Sequence, residues 1–175
     1  MNNLENQKTD NLEESLTKAN KIKLLGLSQN ALAESLRKLG THEKNVNMRV
    51  KQVWSWVYTH GEMNFGEMTN LSKNFRMFLQ KNFSVERPEI IRKQISKDGT
   101  RKYLLKTNNI GEFETVFIPD DDRGTVCLSS QIGCTLNCSF CYTGTQKLVR
   151  NLEPFEIVGQ VLAVKDDLMD WCESN

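Results

Sequence analysis

Three cysteines fall within the stretch Gly133-Cys134-Thr135-Leu136-Asn137-Cys138-Ser139-Phe140-Cys141-Tyr142-Thr143-Gly144. Their spacing, C-x3-C-x2-C, brings three soft donors into one tight loop. Thiolates of this kind select iron–sulfur clusters, zinc or copper(I). An iron–sulfur cube needs one ligand for each of its four irons. Cys134, Cys138 and Cys141, with no fourth cysteine close by, would leave one iron open to a further ligand, as a catalytic cluster requires. Two other readings stay open on the residues alone. A zinc knuckle could add Cys127, His42 or His60 to these thiolates, although zinc sites usually show two separated ligand pairs. Isolated cysteines also serve as small buried hydrophobes.

The rest of the composition fits a reduced thiol site. The chain has five cysteines, three of them in this one loop, and so lacks the pattern of a disulfide framework. It shows no signal peptide and no apolar run of membrane-spanning length. The expectation is a soluble, cytoplasmic protein with no membrane partner. Its 23 Lys and Arg nearly balance 22 Asp and Glu, so any nucleic-acid signal must be local.

Along the chain, residues 1–20 are polar and read as a disordered tail. Residues 21–86 read as a small all-α domain. Ser28 caps a helix to about Leu39 that Gly40 stops; a second helix covers Met48 to His60; a third starts near Ser72 with Phe75, Phe78 and Leu79 inward. Trp54, Trp56 and Phe75 read as core, and His42 and His60 as loop or helix-end residues. Residues 87–122 read as a β-hairpin linker, turning at Lys97-Asp98-Gly99-Thr100, followed by the strand Glu112–Pro119. The hairpin carries Arg92, Lys93, Lys97, Arg101, Lys102 and Lys106 against Asp98 alone, which suits either a phosphate backbone or a lysine-protected edge. On the strand, Phe113, Thr115 and Phe117 share one face, and Glu114 and Val116 the other. Residues 123–175 read as a strand over Thr125–Ser130, the cysteine loop, and a helix from Leu152 to Asp170 with Ile157, Val158, Val161, Leu162 and Leu168 near one stripe. Strand, loop and helix make one β/α unit. The fold class is α/β: a helical N-terminal domain, a hairpin, and the first unit of a parallel barrel. For Cys127 the residues alone favour core packing.

The aromatic before the last cysteine, Phe140-Cys141, resembles the cluster loop of radical S-adenosylmethionine (SAM) enzymes. The run from Phe113 through Cys127 to Gly144, with Arg150-Asn151-Leu152 and Ile157-Val158-Gly159-Gln160-Val161, resembles the RlmN family of dual-specificity RNA methyltransferases. That resemblance implies methylation of adenine C2 in large-subunit rRNA and in tRNA. It implies a [4Fe–4S] cluster on Cys134, Cys138 and Cys141, SAM on the open iron with Phe140 bordering it, and an external electron donor. It also implies that Glu114 takes the C2 proton and that Cys127 resolves a covalent protein–RNA intermediate through a transient disulfide. Glu114 suits that role if burial strengthens it as a base.

The chain departs from the family in length. The remainder of the barrel, a Gly-Glu-Pro segment for SAM and a late methyl-carrying cysteine have no counterpart in it, and Cys172 does not match that cysteine. The expectation is a partial barrel truncated after its first β/α unit, with strand edges unpaired around 124–130 and no methylation by the chain alone; the alternatives are a non-catalytic RNA-binding fragment, using the helical domain and the basic hairpin, and a small zinc-binding domain.

Overall fold

In the computed structural model, residues 21–121, 123–136, 139 and 145–171 are described. The tail, Cys138, Phe140, Cys141 and Cys172 lie outside them.

The first helix, α1 (Gln29–Lys38), begins where Ser28 Oγ accepts the Ala31 N–H at 3.1 Å. It ends at Gly40, whose φ of +90° suits the left-handed stop. Helix α2 (Glu43–Tyr58) starts ahead of the expected Met48 because His42 caps it, Nδ1 accepting the Lys44 N–H at 3.4 Å. Glu43 sits in its first turn, at the positive end of the helix dipole. The added turn brings Val46 into line with Val50, Val53 and Val57, all buried. Helix α3 (Lys73–Asn82) follows Ser72 and turns Leu79 inward. Two strands that two-residue lengths hide from any periodicity, β1 (Ile22–Lys23) and β2 (Phe83–Ser84), pair in parallel and bring the two ends of this unit together. Leu24, Leu32, Leu36, Val53, Met68 and Leu79 are fully buried here, and each such side chain stabilises by about 1.5–3 kcal/mol. Trp54 and Trp56 pack against this core, and Trp56 Nε1 donates to Asn70 Oδ1 at 2.7 Å.

The second layer is a four-stranded antiparallel sheet, in the order β3 (Glu89–Ile95), β4 (Arg101–Lys106), β5 (Glu112–Pro119), β6 (Gly124–Cys127). The β3–β4 turn is closed by Asp98, which accepts the Thr100 N–H at 3.1 Å, and by Gly99 at φ +84°. Tyr103, Leu105, Phe113 and Thr115 are buried on one face of the sheet. Lys102, Lys106, Glu112 and Glu114 stand exposed on the other. This corrects the reading of 124–130 as an isolated barrel strand with bare edges. The strand ends at Cys127, and one of its edges pairs with β5 in antiparallel register.

After β6 the chain forms β7 (Gln131–Ile132), which pairs antiparallel with β8 (Arg150–Asn151) and so gathers the two ends of the cysteine loop. Helix α4 (Pro154–Leu168) follows, opened by a capping box between Glu153 and Glu156 with Pro154 in its first turn. Phe155, Val158 and Leu162 enter the helical core, while Ile157, Val164 and Leu168 enter the sheet core. The helix therefore lies between the two layers rather than on one stripe. At its end, Arg87 pairs with Asp166, donates to the Gly61 carbonyl at 2.7 Å and lies 5.0 Å from the Trp171 ring. No helix among the described residues is long and apolar enough to cross a membrane.

Two polar side chains on α4 are fully buried, Glu156 and Gln160. Arg150 grips the Glu156 carboxylate at 2.7 and 2.8 Å, Thr107 Oγ1 donates to it at 2.6 Å and the Glu153 N–H at 2.8 Å. Burial alone would push this carboxyl up; the donors outweigh it and bring it down to about 2. Asp167 is held below its ordinary value although burial opposes this, because Lys93, Arg101 and Tyr103 all donate to it. Burial, then the hydrogen bond that Tyr103 donates to Asp167, pushes the Tyr103 phenol up to about 12.

Two outcomes follow from this packing. A Cβ on Gly159 would lie 2.5 Å from Pro88 Cδ, so G159A should lower stability by about 1–3 kcal/mol, read as a fall in melting temperature by circular dichroism. The Glu156 carboxyl titrates lower in the folded chain than its ordinary 4.5, so the unfolded chain takes up the proton first as acid is added. Its stabilisation, on the order of 3 kcal/mol, is fully present above about pH 4.5 and is lost as the pH falls towards 2. E156Q should flatten the stability–pH curve in that window, measured by urea unfolding.

Candidate functional site

The open face of the sheet carries two of the residues singled out for chemistry, Glu114 and Cys127. Cys127 on β6 stands directly opposite Val116 on β5, so the two side chains share a face. Glu114, two residues before Val116, shares it too. Glu114 and Cys127 are thus diagonal neighbours on adjacent strands, a placement that puts their backbones roughly 7–8 Å apart. Lys102, opposite Val116 from the β4 side, reaches Glu114 Oε1 with its Nζ at 2.7 Å. Core packing for Cys127 is overturned: the thiol is exposed and free. The burial that the base role of Glu114 calls for is not supplied by the described residues either, since its side chain is 49% exposed.

Cys134 sits in the loop that β6 leads into. It is a free, half-buried thiol whose Sγ accepts the Leu136 N–H at 3.4 Å. Its own N–H donates to the Gln146 carbonyl at 3.0 Å, and a parallel bridge joins it to Lys147. Gly133 makes that closure possible. Its φ is +76°, and a Cβ there would lie 2.1 Å from the Lys147 carbonyl oxygen. Cys138, Cys141 and Phe140 lie outside the described residues, and among the described residues no group of three or more His, Cys, Asp or Glu forms a metal site. These contacts fix where the Cys134 sulfur sits at the entrance of the loop. Of the histidines in the zinc alternative, His42 caps α2, and His60 Nδ1 lies 3.0 Å from the Ser55 carbonyl oxygen.

The hairpin cations divide into two groups. Lys93 and Arg101 pair with Asp167 at 2.6 and 2.8 Å, and Lys102 pairs with Glu114. Arg92, Lys97 and Lys106 have no ion pair among the described residues. The helical unit also carries an excess of positive charge, which the balanced whole-chain charge conceals: residues 21–85 hold ten Lys and Arg against four Asp and Glu. Counting charge by unit rather than by chain would have revealed it.

Residues 22–85, from the first strand to just past the second, match the family model described as Ribosomal RNA large subunit methyltransferase N-terminal domain. The chain is 55% identical over 151 residues to a protein of Ruegeria sp. (strain TM1040) named Dual-specificity RNA methyltransferase RlmN, covering 86% of this chain and 38% of that protein. It is also 55% identical over 148 residues to a protein of the same name from Paracoccus denitrificans (strain Pd 1222), covering 85% and 38%. Its structure resembles the crystal structure of a radical SAM methyltransferase from Sphaerobacter thermophilus, with a TM-score of 0.75 and 33% identity over 85% of this chain and 43% of that one. The chain spans about two-fifths of the length of these relatives. On these matches it belongs to the RlmN family, as a counterpart of that family's N-terminal part.

Proposed function

We propose that this chain forms the substrate-facing sheet, the cluster loop and the RNA-gripping helical unit of a radical SAM adenine-C2 methyltransferase acting on rRNA and tRNA. The observation that carries this reading is the shared open face of Glu114 and Cys127, on the strand pair that runs into the Cys134 loop. In this reading the sheet is the opening of a barrel. The free edge of β6 would receive the next strand, and the open face would become the inner wall.

Cys134, Cys138 and Cys141 would hold a [4Fe–4S] cluster, and Phe140 would border SAM. When bound, that pair supplies one-electron chemistry, with the electron coming from an external donor. The remaining roles belong to side chains of this sheet. The Glu114 carboxylate would accept the proton that adenine C2 must lose. Lys102, already paired with it, would hold it on the inner wall. The Cys127 thiolate would attack the sulfur of the protein–RNA thioether: the S–S bond forms as the S–CH2 bond breaks, and the electron pair leaves with the carbon on adenine C2, which takes up a proton to become the methyl group. The cations of 21–85, with Arg92, Lys97 and Lys106, would bind phosphates.

The zinc reading and the cluster reading differ in which cysteines they need. After anaerobic loading with iron and sulfide, the chain should show visible-blue absorbance and bound iron. C134A, C138A and C141A should each remove most of that absorbance, whereas C127S should keep it. Equal loss in C127S, or zinc retained in place of iron, would refute the assignment.

A further inference from the structure

The β5–β6 ladder stops at the pair of Val116 with Cys127. Just beyond it Ser129 lies outside any strand, yet both of its backbone groups are paired, and by one side chain. Gln160 Oε1 accepts the Ser129 N–H at 2.9 Å, and Gln160 Nε2 donates to the Ser129 carbonyl at 2.8 Å. A single amide thus supplies what a neighbouring strand would supply. The same Oε1 accepts from Thr115 Oγ1 at 2.6 Å, on the residue next to Glu114. Ser129 Oγ then donates to the Glu114 carbonyl at 2.6 Å. Gln160 and Thr115 are both fully buried, so an amide left without these partners would be costly, although the Ser129 Oγ bond itself lies at the surface.

The network joins β5 at Glu114–Thr115 to the chain two residues past Cys127. It lies where the ladder has run out, and where an unsupported strand end would fray. We propose that Gln160 is a positioning residue that fixes Glu114 and Cys127 relative to one another from the opposite face of the sheet. The inference rests on the reading of those two residues as base and resolving cysteine. An apolar side chain of similar volume would fill the same space against the sheet but could not hold the Ser129 backbone. The amide therefore does more than occupy the core.

The test uses the whole reduced chain, without cluster, and reads iodoacetamide alkylation of Cys127 by mass spectrometry of its peptide. Wild type, E114Q, Q160M and the double variant are compared. In the Gln160 background, E114Q should speed alkylation about twofold, because a carboxylate diagonal to the thiolate no longer repels it. In the Q160M background that ratio should fall to about one. An unchanged ratio, or an E114Q without effect in the wild-type background, overturns the proposal. If Q160M fails to fold by circular dichroism, S129A and T115V each remove one bond of the network. Each should lower the ratio, and an unchanged ratio in both overturns the proposal equally. Failure of the enzyme reading looks different: the chain would assemble no iron, while the coupling between positions 114 and 127 would persist.

Discussion

Helix α4 is held to the sheet by a row of polar side chains, and the rest of the arrangement depends on it. Glu156, Gln160 and Asp167 follow one another at helical spacing, and each meets a different part of the sheet layer. Glu156 takes Thr107 and Arg150, Gln160 takes Thr115 and Ser129, and Asp167 takes Lys93, Arg101 and Tyr103. Apolar residues between them supply the burial, but apolar contacts tolerate sliding. Buried hydrogen bonds do not, because a shift of one turn would strand several donors and acceptors at once. The polar row therefore fixes the register of the helix on the sheet. The opposite side of the helix, through Phe155, Val158 and Leu162, then fixes the helical unit as well.

Much of this could be read from the chain, and the parts that could not share a cause. The helix start at Ser28, the turn at Asp98-Gly99 and the alternation along Phe113 to Phe117 are local signals, and each appears where expected. The start of α2 is not legible in the sequence because histidine is an uncommon cap, and only the fold reveals that its ring nitrogen faces the Lys44 amide. The stripe on α4 was misjudged because a helix packed on two sides has no single apolar face, and because its most informative contacts are made by Glu and Gln. The antiparallel pairing of β6 and the exposure of Cys127 depend on which strand lies alongside, which short runs of Val, Cys and Leu do not encode. The catalytic candidates came from family resemblance. The fold added that Glu114 and Cys127 share one face.

Because α4 covers one face of the sheet, Glu114 and Cys127 are left on the other. A one-sided antiparallel sheet ordinarily presents inert polar residues to water. Here the open face carries an exposed thiol and a carboxylate–ammonium pair, with Val116 between them in register. While the face is open, the pair of Lys102 and Glu114 contributes little to stability, since both groups are about half exposed and water screens them. The pair matters once the face is covered. A lone carboxylate enclosed by further strands would be an uncompensated buried charge. Under the proposed enclosure, Lys102 would give the Glu114 carboxylate its counter-charge, while weakening it as a base. The sheet thus carries an ion pair on its open face, while on its covered face the Gln160 amide ties Thr115 of β5 to the Ser129 backbone beyond β6.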